Sequence, residues 1–182
     1  MFLEYYYNTI IKYDLINKFY YKSINEIPKL KKIILNFECK NFTKKTFAIT
    51  LLSLKLISTK SGLITKANKP HIFLKIQKGQ PTGCKVILVN NNMYQFLEQL
   101  LIYIIPNIKF SLKLKKTGLS NKNSFSFTIT NKNIIFPEIK EHFNLISKLS
   151  KLHITFVTNT KTKNELFFLL KSFKLPINNL II

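Results

Sequence analysis

Ser124-Phe125-Ser126-Phe127-Thr128-Ile129-Thr130 alternates without a break. Phe125, Phe127 and Ile129 fall on one side and the hydroxyl side chains on the other, the period of a strand with one face against a core. Lys31-Lys32-Ile33-Ile34-Leu35-Asn36-Phe37 repeats the pattern, with Ile33, Leu35 and Phe37 on one side and Lys32, Ile34 and Asn36 on the other. Lys85–Val89 and Leu152–Thr158 are further strand candidates, and Asn133–Phe136 is a short one.

Between these strands the period changes. Met93, Phe96, Leu97, Leu100, Leu101 and Ile104 form one helical stripe, which Pro106 stops. Thr43 to about Lys60 reads as a helix with Phe47, Leu51 and Leu54 inward. Thr162-Lys163-Asn164-Glu165 is a capping box opening a helix striped by Leu166, Leu169, Leu170 and Phe173, with Pro176 beyond. A less sharply patterned helix covers Tyr5–Phe19. The elements run helix, strand, helix, short strand, loop, strand, helix, several strands, helix. That order predicts an α+β fold, a mostly antiparallel sheet with helices packed on one face and the other face partly polar. No repeat or linker is visible, so residues 1–182 are expected to form a single domain, with 1–26 as its N-terminal helix.

Composition sets the class of partner. The chain has 182 residues, 29 basic against 8 acidic, for a net charge of +21. Hydrophobic residues make up 46% and aromatics 13%, which excludes a disordered basic tail. Two cysteines cannot make a disulfide scaffold of this size. From Cys39 to Pro137 there are 16 Lys and one acid, Glu98, so lysine repulsion there goes uncompensated within the chain. A polyanion, and nucleic acid first, is the expected partner.

All 29 basic residues are Lys. Phosphate recognition favours the arginine fork, so its complete exclusion points to coding pressure in a very AT-rich genome, as in organelles. Met1–Tyr21 holds Glu4 and Asp14 and lacks the Arg of a transit peptide and the basic start of a secretory signal. The protein is therefore expected to be made where it works. The apolar run Met93–Ile105 is too short and too polar to span a bilayer.

Catalysis finds little support. Asp14 is the sole Asp, and His71, His142 and His153 lack metal-ligand spacing. Glu138, Glu141 and His142 read as a solvated turn after Pro137, and Cys39 and Cys84 as reduced thiols far apart in sequence. Gly79 and Gly83 do not make a phosphate-cradling loop, because the G-K-[ST] ending is missing. No cofactor and no metal are expected. The chain reads as a binding protein and not as an enzyme.

In Thr65–Val86 the lysines are separated by apolar and turn residues. Gly79, Pro81 and Gly83 predict a projecting basic loop, with the bend over Lys75-Ile76-Gln77-Lys78-Gly79-Gln80-Pro81-Thr82-Gly83. Here the chain also resembles a known family, the universal large-subunit ribosomal protein five, which binds 5S rRNA. The matching segments span about residues 27–176. They include Ile27-Pro28-Lys29-Leu30-Lys31-Lys32-Ile33-Ile34-Leu35-Asn36, Thr65-Lys66-Ala67, Leu74-Lys75-Ile76 and Gly83-Cys84-Lys85-Val86. Further on come Met93-Tyr94-Gln95-Phe96-Leu97, Gly118-Leu119-Ser120, Ile135-Phe136-Pro137-Glu138-Ile139 and Ile154-Thr155-Phe156-Val157-Thr158.

The resemblance implies a structural protein of the large subunit's central protuberance, with a 5S rRNA surface on the N-terminal half and the open sheet face. Lys31, Lys32, Asn36, Lys66, Lys69 and Lys85 are the candidate rRNA-binding residues, and the strand alternation independently sets Lys32 and Asn36 on the polar face. It further implies that the Lys75–Gly83 bend reaches P-site tRNA. Large-subunit rRNA and neighbouring ribosomal proteins, including a small-subunit protein across the subunit interface, are the other implied partners. Where the family has a glycine-rich turn, this chain has Phe37-Glu38-Cys39-Lys40. Arginine exclusion favours a mitochondrial ribosome in the matrix, with a plastid or AT-rich bacterial ribosome as the alternative address. A free-standing organellar RNA-binding module is the competing reading; it would use Phe125 and Phe127 as surface aromatics.

Overall fold

The structure is a computed structural model that describes residues 2–38, 43–106, 122–129 and 151–176. Cys39, Gly118-Leu119-Ser120, the strand expected at Asn133–Phe136 and the Glu138/Glu141/His142 group lie outside the described residues.

The N-terminal helix begins as α1 (Phe2–Tyr6), passes through a π-helical stretch (Tyr7–Ile11) and ends as α2 (Lys12–Lys18). Its buried residues are Leu3, Tyr7, Ile11 and Leu15, spaced by strict steps of four. In an α-helix four residues turn about 400°, so such a row winds off one face. A stretch with more residues per turn brings it back. A 3₁₀ turn (Ile24–Glu26) leads to β1 (Leu30–Glu38), followed by α3 (Lys44–Ser58), β2 (Leu63–Lys66), β3 (Pro81–Leu88) and α4 (Asn90–Gln99). The chain continues from α4 as a second π-helical stretch (Leu100–Ile104). Leu100 and Ile104 are buried there, while Leu101, which α-helical spacing puts on the same stripe, is half-buried. β4 (Ser124–Ile129), β5 (Leu152–Thr158) and α5 (Lys163–Ser172) complete the described elements.

The fold is α+β. Its five-stranded antiparallel sheet has the order β2-β3-β1-β5-β4, and helices pack against it. The α5 start is as the capping box predicts: Thr162 Oγ1 accepts from the Glu165 N–H at 3.3 Å. Glu165 in turn accepts from the Lys161 N–H at 3.0 Å, one residue before the cap.

Contacts group the chain into two compact units. The first comprises Met1–Ile33, Val89–Phe127 and Thr155–Ile182. Its described core joins the N-terminal helix row, Met93, Phe96 and Leu97 of α4, and the whole predicted α5 stripe. Phe156 stacks on Phe125 and Phe127, which are tilted to each other, at centroid distances of 5.9–6.4 Å, and all three are almost wholly buried. These aromatics are core, not a surface platform, and the feature that a free-standing recognition module required is gone.

The second unit comprises Ile34–Leu88 and Thr128–Ile154. Here α3 packs on β3, whose Cys84, Val86 and Leu88 are buried beside Leu35, Phe37, Leu54 and Ile57. Cys84 is fully buried, with its Sγ 3.2 Å from Thr50 Oγ1 of α3.

Candidate nucleic-acid interface

The sheet of the second unit has two unlike faces because its strands alternate. On β3, Cys84, Val86 and Leu88 point to the α3 side, which sends Lys85 and Ile87 to the opposite side, where both are half-exposed. β2 runs antiparallel to β3 with Leu63 opposite Lys85 and Thr65 opposite Gly83, so these residues share Lys85's face. On β1 the same alternation buries Leu35 and Phe37 and leaves Asn36 half-exposed. Among the described residues the Asn36 amide has no hydrogen-bond partner.

Gly83 explains how closely these strands approach. A Cβ on it would stand 2.4 Å from the Phe37 carbonyl oxygen of β1. Only hydrogen fits. The face also carries an acid, Glu38, whose Oε1 lies 3.2 Å from His153 Nε2 of β5. Among the described residues His153 Nε2 makes no aligned hydrogen bond.

The candidate residues separate in three ways. Asn36 and Lys85 lie on the open face, and Lys32 keeps Asn36's alternation along β1. Lys66, at the end of β2, and Lys69, in the following turn, are exposed. Lys31 is exposed too, but it falls on the alternation of Ile33, Leu35 and Phe37, so the strand does not present it with Lys32 and Asn36.

The expected bend is relocated. Pro81, Thr82 and Gly83 belong to β3, where Lys66 pairs with Pro81 and Thr82 Oγ1 donates to the Thr65 carbonyl at 3.3 Å. Proline suits the first residue of a strand, where no ladder donor is needed. The loop proper is Ala67–Gln80 and contains two turns. One is closed by His71 and Ile76, which exchange backbone hydrogen bonds at 2.9 and 3.1 Å. In the other, the Gln80 N–H donates to the Gln77 carbonyl at 3.2 Å and Gly79 takes φ +84°. At the tip of the first turn stand Ile72, Phe73 and Leu74, exposed apolar residues that the lysine-centred reading passed over. Their only signal in the sequence is an apolar triplet lodged between Pro70 and Lys75.

Among the described residues no group of His, Cys, Asp and Glu could hold a metal. None of the described helices is long and apolar enough to cross a membrane.

Residues 81–177 match the C-terminal domain of the ribosomal L5 family. That is more than half of the chain, and the similarity to individual relatives runs over nearly all of it. The large ribosomal subunit protein uL5m of Reclinomonas americana is 35% identical over 178 residues, covering 97% of each chain. The chain belongs to the ribosomal L5 family. Two bacterial relatives, both named large ribosomal subunit protein uL5, are as similar. That of Nitrosomonas europaea is 37% identical over 97% of this chain and 98% of its own. That of Wigglesworthia glossinidia brevipalpis is 39% identical over 93% of each. Members of this family are ribosomal proteins, not enzymes, and this one is no enzyme.

Proposed function

We propose that the chain is a structural component of a large ribosomal subunit and holds ribosomal RNA, 5S rRNA foremost, on the open sheet face. The observation that carries this reading is the end-to-end similarity to proteins named for the large subunit. The half-exposed face with Lys85 and the unpartnered Asn36 supports an RNA contact made by lysine–phosphate attraction and amide hydrogen bonds. The charge of +21 supports it as well. We assign the Ala67–Gln80 loop to P-site tRNA, and the single 1–182 chain to one functional body in the ribosome. The compartment is a mitochondrial ribosome; support for it comes from the absence of arginine and from the mitochondrial relative, which the bacterial ones match in identity.

Sucrose-gradient sedimentation of organelle lysate tests the assignment. The protein is expected with the large subunit, and 5S rRNA is expected to co-purify with it in high salt after the subunit is dismantled. A free pool at the top of the gradient would refute the ribosomal role. Co-sedimentation without 5S rRNA would transfer the contact to another RNA.

A further inference from the structure

Ile72, Phe73 and Leu74 are 90%, 94% and 62% exposed. No core lies beneath them. Backbone bonds alone shape this tip: besides the His71–Ile76 exchange, the Lys75 N–H donates to the Ile72 carbonyl at 3.0 Å. Lys75 itself takes φ 51°, a left-handed conformation uncommon for a side chain of its size. The Phe73 and His71 rings meet at a 60° interplanar angle with centroids 6.2 Å apart, and most of the Phe73 side chain remains in solvent.

The surroundings select the partner. Lys66, Lys69, Lys75 and Lys78 are exposed on the same hairpin, and no acid occurs between Glu38 and Glu98. Apolar side chains held clear of a core mark a contact surface. Ringed by uncompensated cations, this one fits an anion that also offers flat apolar faces. Unpaired nucleotides do both, because each carries a phosphate and a base that stacks on an aromatic ring.

We propose that Phe73 is a base-stacking residue. The hairpin tip takes an unpaired nucleobase on the Phe73 ring while Lys69, Lys75 and Lys78 neutralise the flanking phosphates. The assignment rests on the RNA-binding reading above and adds to it a contact that salt does not screen.

The test uses the full chain and two RNAs with equal phosphate counts, a hairpin with a loop of unpaired adenines and a blunt duplex. Binding is followed by fluorescence anisotropy over a salt series. Phe73→Ala is expected to bind the hairpin about 5- to 150-fold more weakly, with its salt slope and its duplex affinity unchanged. Phe73→Trp should restore the loss. Lys75→Gln with Lys78→Gln should instead flatten the slope on both RNAs, by about one to two units. An unchanged thermal midpoint shows that the exposed substitution has left the fold intact. Should Phe73→Ala bind the adenine loop as tightly as the parent chain, the stacking assignment falls and the RNA reading stands. The same holds if the variant loses only its binding to vesicles of anionic lipid. Should the parent chain bind neither RNA, both fall.

Discussion

Tyr7 and Tyr21 show how the first unit treats a phenol it has buried. Burial pushes both up to about 12 from an ordinary 10.0, with smaller pushes from Tyr94 on Tyr7 and from Glu165 and Tyr7 on Tyr21. Tyr94 is raised in the same way, by burial first and then by Glu4. The Tyr7 hydroxyl donates to the Pro28 carbonyl at 2.9 Å, whereas the Tyr21 hydroxyl has no hydrogen-bond partner among the described residues. A raised pKa favours the neutral form in the fold. Its stabilisation is therefore complete below pH 10 and is lost as pH climbs through about 12. Tyrosinate absorbance should accordingly show a late-ionising set that shrinks in Tyr7→Phe. All phenols ionising together near 10 would contradict the burial. Tyr7→Phe should also cost about 1–3 kcal/mol in urea unfolding, because the Pro28 carbonyl is left without its donor. Gly83→Ala acts on the other unit, where its methyl would drive β3 away from Phe37. A loss of about 3 kcal/mol or more is expected; a loss below about 1 kcal/mol would mean that the strands part freely.

At the scale of elements, the Ala67–Gln80 hairpin separates folding from contact. The Ala67 N–H donates to the Gln80 carbonyl and the Gly79 N–H to the Ala67 carbonyl, both at 2.9 Å, so the ladder is closed below the loop. Replacing Pro70–Lys78 by Asn-Gly, which keeps Lys66 and Lys69, should change the unfolding free energy by no more than about 0.5 kcal/mol and leave 5S rRNA binding intact. Ribosomes carrying the shortened loop should hold P-site tRNA less well in a filter-binding assay. Loss of 5S rRNA with normal tRNA retention would reassign the loop. Sequence could show β5 and the α5 stripe because each writes its whole pattern locally: Leu152–Thr158 appears as a strand with those ends, and Leu166, Leu169, Leu170 and Phe173 are all buried. It could not show the π-helical stretches, since the steps of four from Leu3 to Leu15 only make sense once the neighbouring helices define a face. Pro81 and Gly83 misled for a related reason. Both residue types mark turns when seen alone, yet here they start a strand and admit a neighbour. Likewise, the apolar letters of Ile72-Phe73-Leu74 are those of a core segment, and only the tertiary structure reveals that nothing covers them.

For the molecule as a whole, the imbalance of 29 lysines against 8 acids governs behaviour more than any single contact. Lysine meets phosphate as a point charge, without the fork that fixes direction. Affinity for 5S rRNA should therefore fall steeply with salt, by a log–log slope of about −0.7 to −0.9 per phosphate neutralised. Changing Lys66, Lys69 and Lys85 together to Gln should flatten that slope by about two to three units. An unchanged slope would remove these three lysines from the RNA contact. Asn36 should behave differently, since an uncharged amide contributes through hydrogen bonds: Asn36→Ala should lower affinity while leaving the slope alone.

The space at Gly83 also constrains the gene. Glycine codons open with two G letters, and any single change of either to A or T specifies another residue or a stop. At Gly83 each replacement brings a side chain to a point 2.4 Å from a backbone oxygen. Nucleotide drift strong enough to erase every arginine from this chain must halt at that codon. Changes there would be removed as misfolded protein before any defect in RNA binding could be seen.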